Sequence, residues 1–307
     1  MLQPQTSALG QLRKLKRKRS TGCFISRLSI SISRNVLVVP PEPGFIDAHV
    51  HVWPEVGDRA TPSRYTASDH FALAKPAGVT RTVLIQHSMF RLDNSYMLDA
   101  VRDHPGVFSA VAVIDTDTPT LDAGVNEIRT KGVRGFRITA RKEKPWPEWE
   151  GMHRHWRAAA TQGFAMCPLI NPEAFPWVAA LCEKHPDTTV VIDHLGRIGA
   201  SGTINDADVR ALCGLAKFPR VHVKISAFYA LGRKVPPYTD LVPMIRQVFE
   251  TYGPRRLMWA SDAPYQVLPP NDYQSSVDLV RQRLDFVSAE DREWLLGKTA
   301  EVVFFSP

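Results

Sequence analysis

The sequence predicts a single (β/α)8 barrel. Three observations carry that prediction. Eight short apolar runs recur along the chain, helical patterns separate them, and the first run leads into Pro54-Glu55-Val56-Gly57-Asp58 rather than a glycine-rich loop. Near-continuous apolar strands alternating with helices indicate parallel strands covered by helices. Eight such units in about 260 residues suit one closed barrel. The rival, a doubly wound open sheet, would follow its first strand with a GxGxxG phosphate loop.

In chain order, strands are expected at FIDAHVHVW (45–53), RTVLIQ (81–86), FSAVAVI (108–114) and VRGFRI (133–138). Four more are expected at FAMCPLI (164–170), TVVIDHL (189–195), VHVKISA (221–227) and LMWASD (257–262). Helices are expected over Ser95–Arg102, Trp149–Gln162, Pro176–Lys184, Asp206–Leu215 and Leu241–Tyr252. The first strand is unusual. Side chains alternate faces with period two, so Asp47, His49 and His51 are expected on one face and Ile46, Ala48, Val50 and Val52 on the other.

The net charge of +7 belongs to one end of the 307-residue chain. Residues 1–41 hold eight basic residues (Arg13, Lys14, Lys16, Arg17, Lys18, Arg19, Arg27 and Arg34) and no acid, which leaves the remainder at −1. The body therefore gives no electrostatic reason to expect nucleic acid. Residues 1–42 are expected to be a basic, disordered extension, or to reflect a start site placed too far upstream. A transit peptide or a nuclear-type basic cluster has the same composition. Arg27 and Arg34 cut its apolar stretch far short of the ~20 residues a membrane span needs. Residues 43–307 would form the barrel. The four cysteines, Cys23, Cys167, Cys182 and Cys213, make neither a CxxC pair nor a disulfide framework, which suits a cytoplasmic protein.

Barrel enzymes work at the carboxyl ends of their strands. Polar residues gather there: His49 and His51 on strand one, Gln86 and His87 after strand two, Arg137 on strand four with Arg141 beyond it. Asp193, His194 and Arg197 follow strand six, Lys224 and Ser226 lie on strand seven, and Asp262 ends strand eight. Each has a plainer reading. His87 could cap its strand, and Lys224 could be a buried ion-pair partner. Asp193 adjoins His194 and is expected on the opposite face, in a structural hydrogen bond. Arg134 and Arg137 cannot both face the axis of a regular strand, and Arg137 lies nearer the carboxyl end. His104, His153, His155 and His185 are expected at the surface or in loops. The tryptophans of KPWPEWEGMHRHW are expected to pack rather than to form a lid.

The segments FIDAHVHVW, LDNSYMLDA, VRGFRI, VVIDHLGR, VKIS and MWASDAP, in that order from Phe45 to Phe305, resemble the amidohydrolase superfamily. The resemblance is to its branch of lactonases and related TIM-barrel hydrolases that includes 2-pyrone-4,6-dicarboxylate lactonase. It implies that His49 and His51 lie at the bottom of a site where many members bind a divalent metal. It also implies that Asp262 is the acid of strand eight and His194 the histidine of strand six. One departure stands out: FAMCPLIN offers none of the strand-five ligands that metal-dependent members add. His49, His51 and Asp262 could hold one zinc or manganese ion with open positions. The same residues fit the metal-independent lactonases, and a metal-independent or weakly metallated site is the preferred reading.

The expected function is hydrolysis of a small, carboxylate-bearing lactone. Asp262 would take the proton from water. His194 and the other histidines, with or without a metal, would polarise the carbonyl. Arg137, Arg141 and Arg197, with His87, would bind the acidic substrate, since a guanidinium fork matches a carboxylate. Two rivals are kept: a metal-dependent, non-oxidative decarboxylase of an aromatic or unsaturated acid, and a barrel that binds a small molecule without turning it over. A homo-oligomer is compatible with all three.

Overall fold

The computed structural model describes residues 44–117, 127–139 and 145–306. The basic extension and Arg141 lie outside them. Eight parallel strands pair strictly in chain order: β1 Phe45–Val50, β2 Val79–Ile85, β3 Phe108–Ala112, β4 Val133–Thr139, β5 Ala165–Leu169, β6 Thr189–Ile192, β7 Val221–Ser226 and β8 Leu257–Ala260. The ring closes just beyond the strand ends. The Asp262 N–H donates to the His49 carbonyl at 2.9 Å, and the His51 N–H donates to the Ala263 carbonyl at 2.9 Å. The predicted barrel is the observed one.

Helices α1 Ala67–Ala74, α2 Ser95–Asp103, α3 Glu150–Gln162, α4 Phe175–Lys184, α5 Asp206–Gly214 and α6 Val242–Tyr252 lie between strands. Three short ones, α7 Tyr273–Asp278, α8 Ala289–Glu293 and α9 Thr299–Phe304, follow β8. Where helices were expected, their ends agree within one residue, because cap and proline signals mark them; Pro176 and Pro243, for example, sit in first turns, where a missing N–H costs nothing. No helix among the described residues is long and apolar enough to cross a membrane.

The core has two layers. Leu84, Ile192, Val223 and Trp259 pack outward against helix residues such as Val178, Leu212 and Ile245. A smaller inner cluster joins Ile46, Val83, Val111, Cys167, Val191 and Met258 with Ala300 and Phe304 of α9. Helix α9 thus plugs the amino-terminal end of the barrel, and the carboxyl end is left for polar side chains.

The first strand departs from the expected alternation. Ile46 and Ala48 belong to the inner cluster, whereas Val50 and Val52 belong to the outer one. A register irregularity between Asp47 and Val50 is the cause. It puts one extra residue into the strand and turns His49 to the interior beside Ala48. Asp47 does not share the histidines' surroundings: Tyr273 of α7 donates to it at 2.8 Å, and the N–H groups of Ser261 and His49 donate at 2.9 and 3.2 Å. Burial raises its pKa to about 6 despite those donors.

Two further expectations are corrected. His153 and His155 are buried on the inner face of α3, with His155 Nδ1 donating to the Gly151 carbonyl at 3.2 Å and His153 Nδ1 2.8 Å from His185 Nε2. The helix is amphipathic, and its histidines fall on the packed side. The tryptophans pack as expected: Trp146 and Trp156 are fully buried with ring centroids 6.2 Å apart.

His70 of α1 is also buried, with Nε2 2.9 Å from Thr82 Oγ1, and burial lowers its pKa from 6.5 to about 3. Between those values the unfolded chain binds a proton that the folded chain refuses. The stabilising contribution is therefore complete above pH 6.5 and is lost as pH falls towards 3, by about 1.4 kcal/mol per pH unit. Urea midpoints measured from pH 7 to 4 should show a slope that His70→Gln reduces by one proton; an unchanged slope would show that His70 is not its source.

Candidate active site

Four elements bring their side chains to the carboxyl mouth of the barrel. Asp262, two residues past β8, lies at the centre. Its Oδ1 is 3.2 Å from His51 Nε2 and 3.5 Å from His49 Nε2, and its Oδ2 is 3.8 Å from His194 Nε2. Tyr229, from the loop after β7, donates its hydroxyl to Oδ2 at 2.7 Å. Burial would raise the Asp262 pKa, but the three imidazoles outweigh it and hold the carboxyl well below the usual range. It is a carboxylate at any working pH.

Each imidazole is fixed from behind. His51 Nδ1 donates to the Ile85 carbonyl at 2.8 Å, so its Nε2 faces the site, 3.3 Å from Arg137 Nη1. His194 Nδ1 lies 2.8 Å from Ser226 Oγ. Lys224, fully buried, places its ammonium 3.0 Å from Asp193 Oδ1 and 3.2 Å from His49 Nδ1. Asp193 Oδ1 is itself 3.3 Å from that nitrogen. Burial, followed by the Lys224 charge, lowers the His49 pKa well below its ordinary value. Burial also lowers that of His194, against the pull of Asp262 and Asp193. Asp193 is kept ionised by Lys224 and His49 against the opposing effect of burial.

The expectation that Asp193 and His194 point to opposite faces fails here. Strand β6 ends at Ile192, and His194, Leu195 and Arg197 take left-handed backbone angles (φ 54°, 52° and 57°) around Gly196. Period-two alternation does not apply to such a turn, so both side chains reach the site. Gly196 is required: a Cβ there would lie 2.4 Å from the Phe175 ring. Asp262 is left-handed as well, at φ 68°. Each non-glycine residue in this conformation costs on the order of 1–3 kcal/mol, and such strain concentrates at functional sites.

The other candidates fall into two groups. Arg137 is buried beside His51, at one end of a cleft of about 470 Å³ that also reaches Ser88, Arg91 and Asp115. His87 caps the short turn Ser88–Phe90 by accepting the Met89 N–H at 3.2 Å, and its Nε2 donates to Tyr265 at 2.9 Å. Its ring sits edge-on to His51 at 5.0 Å, and burial lowers its pKa to about 3. Arg197 is not drawn in; its side chain is exposed, beside Asn171 and Glu173. Tyr229 is the residue that sequence reasoning missed. It lies in the loop Ala227-Phe228-Tyr229, and neither spacing nor motif marks its hydroxyl.

His49, His194 and Asp262 each offer one ligand atom, all within 4.8 Å of one another, and among the described residues His49 Nε2 and Asp262 Oδ1 are buried without a hydrogen-bond partner. Two nitrogens and a carboxylate oxygen with unused lone pairs suit a divalent ion such as zinc. The sequence grouped His51 with His49 and Asp262; the geometry groups His194 with them, while Arg137 approaches His51 Nε2.

The chain matches the Amidohydrolase family over residues 46–305. It belongs to that family. It is 26% identical to an L-fucono-1,5-lactonase of Burkholderia ambifaria, across 83% of this chain and 93% of that one. It is 28% identical to a 2-pyrone-4,6-dicarboxylate hydrolase of Comamonas testosteroni, across 72% of this chain and 77% of that one. A crystal structure of an amidohydrolase from Burkholderia multivorans shares the fold, with TM-score 0.74, 23% identity, and coverage of 86% and 99% of the two chains. The amidohydrolase resemblance read from the motifs is thus established.

Removing one member of the buried Lys224–Asp193 pair strands the other. Lys224→Met should cost about 3–5 kcal/mol in urea unfolding. Adding Asp193→Leu should restore most of that loss. A double variant no more stable than the single one would show that the pair is not coupled.

Proposed function

We propose that this amidohydrolase opens a small lactone by attack of water. The observation that carries the reading is the Asp262 carboxylate, ionised and enclosed by His49, His51 and His194 at the carboxyl mouth of the barrel. The lactone hydrolases among its relatives support it. Nothing favours the decarboxylase or binding-only alternatives over it. Free Cys167, Cys182 and Cys213 support a cytoplasmic setting.

In this mechanism Asp262 Oδ1 accepts the proton of the attacking water. So acidic a carboxylate is a weak base, but it holds the proton only until the ring-opened alkoxide, far more basic, takes it. Tyr229 fixes the other oxygen, so Oδ1 keeps one direction. His194, neutral and fixed through Ser226, faces the carbonyl from the opposite side. Where a divalent ion is bound, His49, His194 and Asp262 would hold it, and it would supply Lewis-acid polarisation of the carbonyl. Arg137 directs its guanidinium to the substrate acid group.

Asp262→Asn keeps the shape and removes the base. Turnover of a lactone panel should fall by about 10²–10⁴-fold while the far-UV circular dichroism stays that of the wild type; full turnover would remove Asp262 from this role. Arg137→Gln should raise KM for carboxylate-bearing lactones by about ten- to a hundredfold, the worth of a hydrogen bond to a charged group. Neutral lactones should be indifferent to it. Equal losses for both classes would assign Arg137 to His51 rather than to substrate.

A further inference from the structure

At the other end of the barrel lies a cavity of about 720 Å³ that the proposed reaction does not use. Phe108 at the start of β3, Leu98 of α2, and Phe304 and Phe305 at the carboxyl-terminal plug give it apolar walls. Two polar groups interrupt them. Ser109 is 4% exposed, and its Oγ has no hydrogen-bond partner among the described residues. Arg134 has a buried Nε that is likewise unpartnered. A buried hydroxyl and guanidinium N–H without partners have given up their hydrogen bonds to water, and a ligand would replace them.

Charge narrows the ligand. The other cations at the rim are already matched, Arg102 with Asp99 and Asp103, and Lys131 with Glu127. Arg134 is not. Among the described residues it meets only carbonyls, those of Arg129 at 3.1 Å and Val133 at 3.0 Å. Pockets of this size with a few polar groups on apolar walls are the usual form of small-molecule sites. We propose that this cavity is a second binding site, receiving a small monocarboxylate with an apolar body. Arg134 and Ser109 hold the carboxylate, and Leu98, Phe108, Phe304 and Phe305 enclose the body.

The test is calorimetric titration of the full chain with sodium octanoate, alongside acetate and 1-octanol. Octanoate should bind saturably, and both controls should bind at least about tenfold more weakly, one lacking the body and the other the charge. Arg134→Gln should weaken octanoate by about tenfold or more. Leu98→Trp, which fills the cavity without touching either polar group, should abolish binding while lactone turnover stays unchanged. Arg137→Gln should leave octanoate affinity intact. Three outcomes would overturn the proposal: no saturable binding, binding indifferent to both Arg134→Gln and Leu98→Trp, or binding lost in Arg137→Gln, which would place octanoate in the catalytic cleft.

Discussion

The site rests on one buried ion pair. Lys224 and Asp193 are fully buried near the barrel axis with nitrogen and oxygen 3.0 Å apart. Either charge alone in that position would be very costly, so neither can leave without the other. Both also touch His49 Nδ1, which gives the imidazole no freedom to rotate and directs Nε2 at Asp262. The Lys224 ammonium further lies 5.5 Å from the Phe304 ring centroid, on the helix that plugs the opposite end. A chain of contacts thus runs from the structural floor of the barrel to its reactive mouth. The buried charge thus has a structural consequence: it converts a histidine on a strand into one with a single orientation.

Closure of the barrel acts on the same atoms. The hydrogen bonds that join the first and last strands involve the backbones of His49, His51, Asp262 and Ala263. Three of these four residues also belong to the candidate site. The ring cannot open without separating the acid from its imidazoles, so stability and geometry are coupled there. Strain is coupled to both. Asp262 and His194 hold left-handed backbones that only the surrounding contacts maintain. In isolation each loop would relax and the two side chains would turn apart.

How much of this was legible in the sequence follows from what each signal encodes. The eight strands could be read because apolar runs are a direct record of burial, and the helices because their ends carry proline and cap chemistry. His49, His51, His194 and Asp262 could be located because each lies at a strand terminus. Their grouping could not be fully read. Alternation fails wherever the backbone leaves regular β geometry, as at the irregularity after Asp47 and in the left-handed turn at His194, and those are the places where the site is built. Asp47, which shares a motif with the two histidines, is instead bonded to the helix residue Tyr273. Tyr229 is the reverse case: no pattern marks it, because its role depends on where one loop returns, and periodicity holds no record of that.

The two relatives place opposite demands on a shared scaffold. A sugar lactone is uncharged and rich in hydroxyls, whereas a pyrone dicarboxylate carries two negative charges. Lactones that differ this much in charge are told apart by the charges on a binding-site wall. In this chain Arg137 brings a buried positive charge to that wall, and Asp115 lies along the same cleft. Among the described residues this guanidinium has no carboxylate partner, and its one side-chain contact is His51. Lys224 shows the contrast: its buried charge is met by Asp193 3.0 Å away, because a charge in the core with no opposite partner would be very costly.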